Sequence, residues 1–333
     1  MYIFLLRINQ IYLQHTNLAI THQIPTQSSL WHRASSHATH NGSHIKADMA
    51  STTSSRDHGE PRSRTRNALD LVSGGGLGSP RTPPPETSIN DTLIAQEANY
   101  GPSGSKSLSG IALRAFLLGT TLILSVTISL IILLQTNSPA WRAPLFVTFL
   151  CIFHFLEFWT TAEYNPSTAS ISSFLFSSNG SAYTFANAAA VIECLFTTVL
   201  FPTRHWLPPL LANTLTILGL FLLVSMQIVR STAMIQAGRN FNHIVAHHKT
   251  ASHQLVTDGI YGIWRHPSYF GYYWWGLGTQ LMMGNALCFI GYAVVLWRFF
   301  SARIRGEEAN LIRFFGDEYV QYRQRTWIGI PFV

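Results

Sequence analysis

Two groups of charged side chains in the C-terminal third of the sequence have types and spacing that suit binding chemistry. Arg265 and His266 stand directly before Pro267, at the start of an apolar segment, and Arg303 lies four residues before Glu307. Proline favours the first turn of a helix, where open backbone amides and a positive potential suit an anion. Arg303 and Glu307 share one face of a helix if the chain is helical there.

The apolar stretch between these two groups predicts that they meet. Residues 270–283 and 286–300 form two apolar runs joined at "MGNA", which is typical of a helical hairpin. Because a hairpin brings its ends together, we expect Arg265, His266, Arg303 and Glu307 at one mouth. A structural explanation stays open: a proline that starts a helix, an interfacial belt of tyrosine and tryptophan, and an ordinary i,i+4 ion pair.

The composition indicates a membrane protein. The chain has 333 residues, of which 47% are hydrophobic and only 11% charged, whereas soluble domains carry about 25% charged residues. The sequence pI is near 9.5, but the basic residues are scattered between apolar runs, which favours a cytosolic membrane face over nucleic acid. Three cysteines and the histidine spacing give no disulfide framework or metal-ligand cluster.

The apolar runs predict an all-α, polytopic membrane bundle of about six transmembrane helices, the last two forming the hairpin. A span needs about 20 apolar residues. Residues 1–108 are rich in serine, threonine, glycine and proline, so we expect a disordered tail, followed by a transmembrane domain over 109–333. The expected spans are 111–134, 145–159, 183–201, 207–229, 270–283 and 286–300.

The distribution of basic residues predicts the orientation of this bundle. Within the transmembrane domain, 109–333, the segments 230–265 and 299–333 carry most of the arginines outside the spans, and a six-span chain puts both segments on one side. Loops rich in lysine and arginine face the cytosol. We therefore expect a pocket formed by 230–269 and 299–333 on the cytosolic side.

Charged and titratable residues also occur within the predicted spans. His154 and Glu157 share a helical face in the second span, and Glu193 lies in the third. Such residues are costly in a bilayer. They indicate either a polar functional site or an interhelical hydrogen-bond network, and the network is the favoured interpretation.

Several stretches together resemble the isoprenylcysteine carboxyl methyltransferase family. These are "RHPSYFGYYWWGLGTQLMMGN", "WRFFSARIRGEE" and "FFGDEYVQYRQRTWIGIPFV", and the likeness runs from about residue 140 to the end. The resemblance implies an endoplasmic reticulum membrane enzyme whose site faces the cytosol. It implies methylation of the α-carboxylate of a C-terminal prenylated cysteine with S-adenosylmethionine. The acceptors would be prenylated proteins, such as small GTPases, or lipopeptides, reached from the lipid bilayer.

The resemblance also implies the roles of individual residues. Arg303 would bind the substrate carboxylate, and Arg303, Glu307, Arg265 and His266 would form the catalytic group. One position departs from the family, because Ala246 stands where some relatives have a cofactor-contacting glutamine. The implied cofactor residues are His253, Gln254, Leu255, Val256, Tyr261, His266, Pro267, Ser268, Tyr269 and Glu307.

Three other functions share parts of this pattern. Phospholipid or amine N-methyltransferases use a similar Arg-His-Pro and glutamate pair, but an amine acceptor does not need an arginine that binds a carboxylate. A sterol-reductase-like protein would need a nicotinamide site and a larger bundle. A non-catalytic membrane scaffold would use these polar residues only to organise its helices.

Overall fold

The computed structural model describes residues 86–176, 178–201, 207–245, 248–249 and 253–333. Most of the predicted tail, 1–85, lies outside these residues. Over 86–108, helix α1 spans Glu86–Tyr100, and Ser105 accepts a backbone hydrogen bond from Ile171 at 2.9 Å. The helical stretch contains no glycine or proline, unlike the residues before and after it.

Seven further α-helices follow, and the described residues contain no strand, which confirms the all-α class. Five candidate membrane spans contain α2, α3, α4, α5 and α7. The sixth predicted span, α6, has 17 residues and is mostly buried. The helices are α2 Leu108–Gln135, α3 Arg142–Tyr164, α4 Gly180–Leu200, α5 Pro209–Ala237, α6 Pro267–Met283, α7 Leu287–Phe315 and α8 Asp317–Arg325.

Helix α6 lies closely against α5 because glycines line their contact. A Cβ built on Gly219 would lie 2.8 Å from the carbonyl oxygen of Gly278, and one built on Gly278 would lie 2.9 Å from Cβ of Leu222. Small residues of this kind let helix backbones approach within a membrane bundle. The close contact fixes α6, which carries the predicted anion-binding start, against the long helix α5.

The predicted hairpin of α6 and α7 is confirmed, with its turn at Gly284 and Asn285. Gly284 has a φ of 72°, the left-handed conformation that glycine adopts at helix ends. Glu193 on α4 accepts hydrogen bonds from the backbone amides of Leu287 and Cys288 at 2.9 and 2.7 Å. Its carboxylate therefore caps the first turn of α7, where negative charge is stabilising.

The other charged residues predicted inside the spans also join helices. Glu157 binds Arg230 on α5 in a buried ion pair, and His154 lies between the carbonyl of Phe174 at 2.7 Å and the hydroxyl of Tyr183 at 2.9 Å. These contacts agree with the interhelical network. They also correct the position of Arg230, which we expected in a polar loop: α5 continues to Ala237 because Glu157 compensates the buried guanidinium.

The chain end returns to the start of α6. The backbone of Trp327 pairs with the segment before α6, accepting from Arg265 at 2.9 Å and donating to Ile263 at 3.0 Å. The indole of Trp274 donates to the carbonyl of Gly329 at 3.1 Å. This contact holds α8 and the last residues beside the His266–Pro267 corner.

Candidate functional site

A cavity opens where the segment before α6, the start of α6 and the end of α7 meet. Its lining includes all ten residues predicted to hold the cofactor and also Arg265, so the structure brings these sequence-distant positions together. The segment 253–256 and Tyr261 form one wall, His266–Tyr269 form the floor, and Glu307 projects from α7. Arg303 does not line this cavity. Ala246 and its neighbour His247 lie outside the described residues.

Side chains of α5 and of the turn after it hold the first wall in place. The amide of Ile260 donates to Gln236 at 2.8 Å, and the hydroxyl of Tyr261 donates to the carbonyl of Ala233 at 3.1 Å. The amide of Gln254 donates to the side chain of Asn240 at 3.0 Å. The segment is thus fixed to α5 although it has little regular structure of its own.

The start of α6 presents fewer amides than we expected. His266 is the N-cap residue and Pro267 occupies the first helical position without an N–H. The amide of Tyr269 donates to the carbonyl of His266 at 3.1 Å. Among residues 267–269, only Ser268 therefore has a backbone N–H left to bind an anion. Arg230 fixes this residue from behind, since it donates to the carbonyl and hydroxyl of Ser268 at 3.1 and 3.0 Å.

Arg303 and Glu307 are connected through the hydroxyl of Tyr269. Tyr269 donates to Oε2 of Glu307 at 2.6 Å and accepts from Nε of Arg303 at 2.8 Å. Arg303 also donates through Nη2 to the carbonyl oxygen of His243. The guanidinium lies over the Tyr269 ring, 5.4 Å from its centroid, and the imidazole of His266 is stacked on the same ring.

Arg265 binds Glu308, the residue that follows Glu307. Its Nε donates to Oε1 of Glu308 at 2.6 Å, and its Nη1 donates to the carbonyl of Thr326 at 2.8 Å. Residue 308 points towards Arg265 because it lies about 100° further round α7 than residue 307. His266 lies between the two acids, 3.9 Å from Glu307 and 3.4 Å from Glu308. Arg265 therefore joins α7 and the chain end to the His266 corner.

Two tyrosines of α8 complete the cavity, and sequence reasoning did not identify them. Tyr319 and Tyr322 are almost fully buried, and Tyr322 donates to the carbonyl of Tyr261 at 2.8 Å. Burial raises the pKa of both hydroxyls well above their ordinary range, so they stay protonated. The two tyrosines are three residues apart on a short amphipathic helix, and this spacing could have predicted that both lie on its buried face.

Residues 240–242 also line the cavity and were missed. The side chain of Asn165, at the end of α3, donates to the carbonyl of Phe241 at 2.8 Å and fixes this turn. His243 follows, facing Glu157 at 3.8 Å. Burial lowers the pKa of the His243 imidazole below 6.5, so this ring is neutral near pH 7.

Comparison with known proteins assigns the chain to a family. The sequence model of the Isoprenylcysteine carboxyl methyltransferase (ICMT) family matches residues 217–313, which include Arg265, His266, Arg303 and Glu307. Curated relatives named protein-S-isoprenylcysteine O-methyltransferase include one from Saccharomyces cerevisiae, 45% identical over 190 residues (57% of this chain, 79% of the relative). The Xenopus laevis relative is 38% identical over 223 residues (67% and 74%).

A solved structure agrees in fold as well as in sequence. The eukaryotic intramembrane Ras methyltransferase ICMT, solved without a monobody, matches with a TM-score of 0.61 at 32% identity, covering 74% of this chain and 86% of that chain. The apolar helices, the hairpin and the relatives thus agree on a multi-pass membrane enzyme. The chain belongs to the isoprenylcysteine carboxyl methyltransferase family.

Proposed function

We propose that this enzyme transfers a methyl group from S-adenosylmethionine to the α-carboxylate of a C-terminal prenylated cysteine. The observation that carries the proposal is the connection of Arg303 to Glu307 through the Tyr269 hydroxyl, beside the His266–Pro267 corner. This connection places Arg303, a cation suited to binding a carboxylate, beside Glu307, an acid that lines a polar cavity. Prenylated proteins such as small GTPases, and lipopeptides, are the acceptors.

The residues of the cavity fit S-adenosylmethionine. The buried hydroxyl of Tyr319 has no hydrogen-bond partner among the described residues, and Tyr319 lines the cavity, so this hydroxyl is available to a polar ligand. When bound, the cofactor supplies a methyl group on a positively charged sulfur. Glu307 provides a carboxylate for the cofactor's hydroxyl or ammonium groups, and the Ser268 amide suits its carboxylate.

Arg303 is suited to hold the acceptor carboxylate. The described partners of Arg303 are a hydroxyl and a carbonyl, both neutral, so its charge remains available to an anion. A terminal carboxyl group has a pKa of about 3.5 and is ionised at neutral pH, so no general base is required. The site must instead orient the carboxylate oxygen towards the methyl group at a short distance and exclude water from between them.

The surrounding helices suit a lipid-modified acceptor. Tyr269 packs against Phe300 with ring centroids 5.2 Å apart, and Tyr272 packs against the same ring. An apolar prenyl chain partitions into a bilayer reversibly, so it reaches these aromatic rings from the membrane while the cofactor enters from water. The endoplasmic reticulum, with the cavity facing the cytosol, is the proposed location.

The test compares acceptors and uses a matched arginine pair. Purified protein should methylate N-acetyl-S-farnesylcysteine and leave phosphatidylethanolamine unmodified. Arg303→Ala should abolish this turnover, whereas Arg305→Ala, an exposed arginine two residues away, should retain it. Methylation of the lipid amine alone, or full activity of Arg303→Ala with a normal melting temperature, would refute the proposal.

A further inference from the structure

A second cavity adjoins the first and extends beyond the site described above. The two cavities share six lining residues: Asn240, Phe241, Asn242, His253, Glu307 and Leu311. The second cavity also has walls of its own, formed by Thr168, Arg239, Ile244, His248, Asn310 and Phe314. It therefore extends from Glu307 along α7, away from the His266–Pro267 corner.

The stereochemistry of the acceptor requires a place for a third group. The α-carbon of a C-terminal prenylcysteine carries three substituents besides hydrogen: the carboxylate, the side chain with its thioether and prenyl chain, and the amide that continues into the protein. Under the proposed function, on which this inference rests, Arg303 holds the first and the bilayer receives the second. The peptide must leave in another direction, towards water.

The second cavity begins next to the arginine that holds the carboxylate. Arg303 donates to the carbonyl of His243, and the residues on either side, Asn242 and Ile244, both line the second cavity. Glu307, one helical turn from Arg303, lines it as well. A peptide that starts at Arg303 thus enters this cavity within one or two residues.

The chemistry of the walls suits a peptide of variable sequence. Asn242 and Asn310 place amide side chains on the wall; the oxygen of Asn242 accepts from the amide of Ile244 at 2.9 Å, so its NH2 group is the one that can donate to a peptide carbonyl. The opening is basic: Arg239 is exposed on the wall, and Lys249 donates to the carbonyl of the wall residue Phe314 at 2.7 Å. Such charges favour acidic side chains over lysine in a bound segment.

We propose that the second cavity binds the polypeptide segment immediately preceding the modified cysteine and favours acidic residues in it. The segment is held mainly through its backbone, so that many sequences are accepted. The positive charge of Arg239 favours the sequences that carry acidic side chains. The cavity therefore acts on protein and peptide acceptors and has no effect on a single modified cysteine.

The experiment fills the second cavity and compares acceptors of two lengths. Asn310→Trp places a large ring in a wall that belongs to the second cavity alone, and Ala309→Trp, at the adjacent exposed position, is the control. We expect Asn310→Trp to lower kcat/KM for an S-farnesylated tetrapeptide about 10-fold or more. With N-acetyl-S-farnesylcysteine, kcat/KM and the KM for S-adenosylmethionine should stay within about twofold.

A charge exchange tests the preference for acidic segments. Wild-type enzyme should prefer an S-farnesylated peptide with aspartate before the cysteine over one with lysine, and Arg239→Glu should reverse that order. An equal loss on both acceptor lengths in Asn310→Trp, an increased KM for S-adenosylmethionine, or no change at all would overturn the inference. The proposed function itself fails if wild-type enzyme leaves N-acetyl-S-farnesylcysteine unmethylated, and none of the outcomes for Asn310→Trp or Arg239→Glu implies that result, so the two failures are distinguishable.

Discussion

Glu157 on α3 and Arg230 on α5 form a buried ion pair in the middle of the bundle. Both nitrogens of the guanidinium edge are engaged: Nε donates to Oε1, and Nη2 donates to Oε2 at 2.8 Å. The guanidinium also lies over the rings of Phe153 and Tyr272. Because Arg230 in turn holds Ser268, this pair fixes the start of α6.

Removal of the acid should therefore destabilise the protein strongly. Glu157→Ala leaves the Arg230 charge buried without compensation, which costs about 3–5 kcal/mol. We expect a clear decrease in the melting temperature of the detergent-solubilised protein. Glu163→Ala, at an exposed position on the same helix, should change stability by less than about 0.5 kcal/mol. Equal melting temperatures for the two variants would show that the pair is unimportant for stability.

Substitution of Tyr269 by phenylalanine tests the connection between Arg303 and Glu307. The change keeps the stacked ring and removes the hydroxyl that bonds to both charged groups. Hydrogen bonds to charged groups contribute about 1.5–3 kcal/mol, so kcat/KM should fall about 10- to 100-fold. Tyr292→Phe is the control, because its hydroxyl bonds to Asn187. Similar losses in both variants would indicate a general packing defect.

Local patterns in the sequence predicted the candidate site residues that the structure brings together. A proline after a histidine and a glutamate four residues after an arginine are short-range signals, and the apolar runs between them predict the hairpin that joins them. The pairing of Glu157 with Arg230 spans 73 positions, and no local rule selects that partner. The spacing of Tyr319 and Tyr322 indicates one buried face of α8, but the surface against which that face packs is set by tertiary contacts, such as the return of the chain end to Trp264, which no local pattern predicts.

The close packing of α5 against α6 can be tested with a single methyl group. Gly219→Ala places its Cβ 2.8 Å from the carbonyl oxygen of Gly278 and 2.9 Å from Cα of Met282, so the helices must move apart. Overpacking of this kind costs about 1–3 kcal/mol. A Cβ on Gly291, in α7, meets nothing within 4 Å, so Gly291→Ala should leave the melting temperature unchanged or slightly raised. A similar decrease in both variants would contradict the close contact.

The neutral His243 predicts how stability depends on pH. Burial lowers the pKa of its imidazole in the folded protein below the ordinary 6.5, while Glu157 opposes this effect and Arg230 and Arg303 add to it. The unfolded chain therefore binds the proton first as the pH falls, and the free energy of unfolding decreases below about pH 6.5. Above that pH the imidazole is neutral in both states and contributes no pH dependence.

Melting temperatures measured between about pH 5 and 8 should fall less at the acidic end for His243→Gln than for wild type, since glutamine keeps a polar side chain but binds no proton. Parallel curves for the two proteins would exclude His243 as the source of the acid sensitivity.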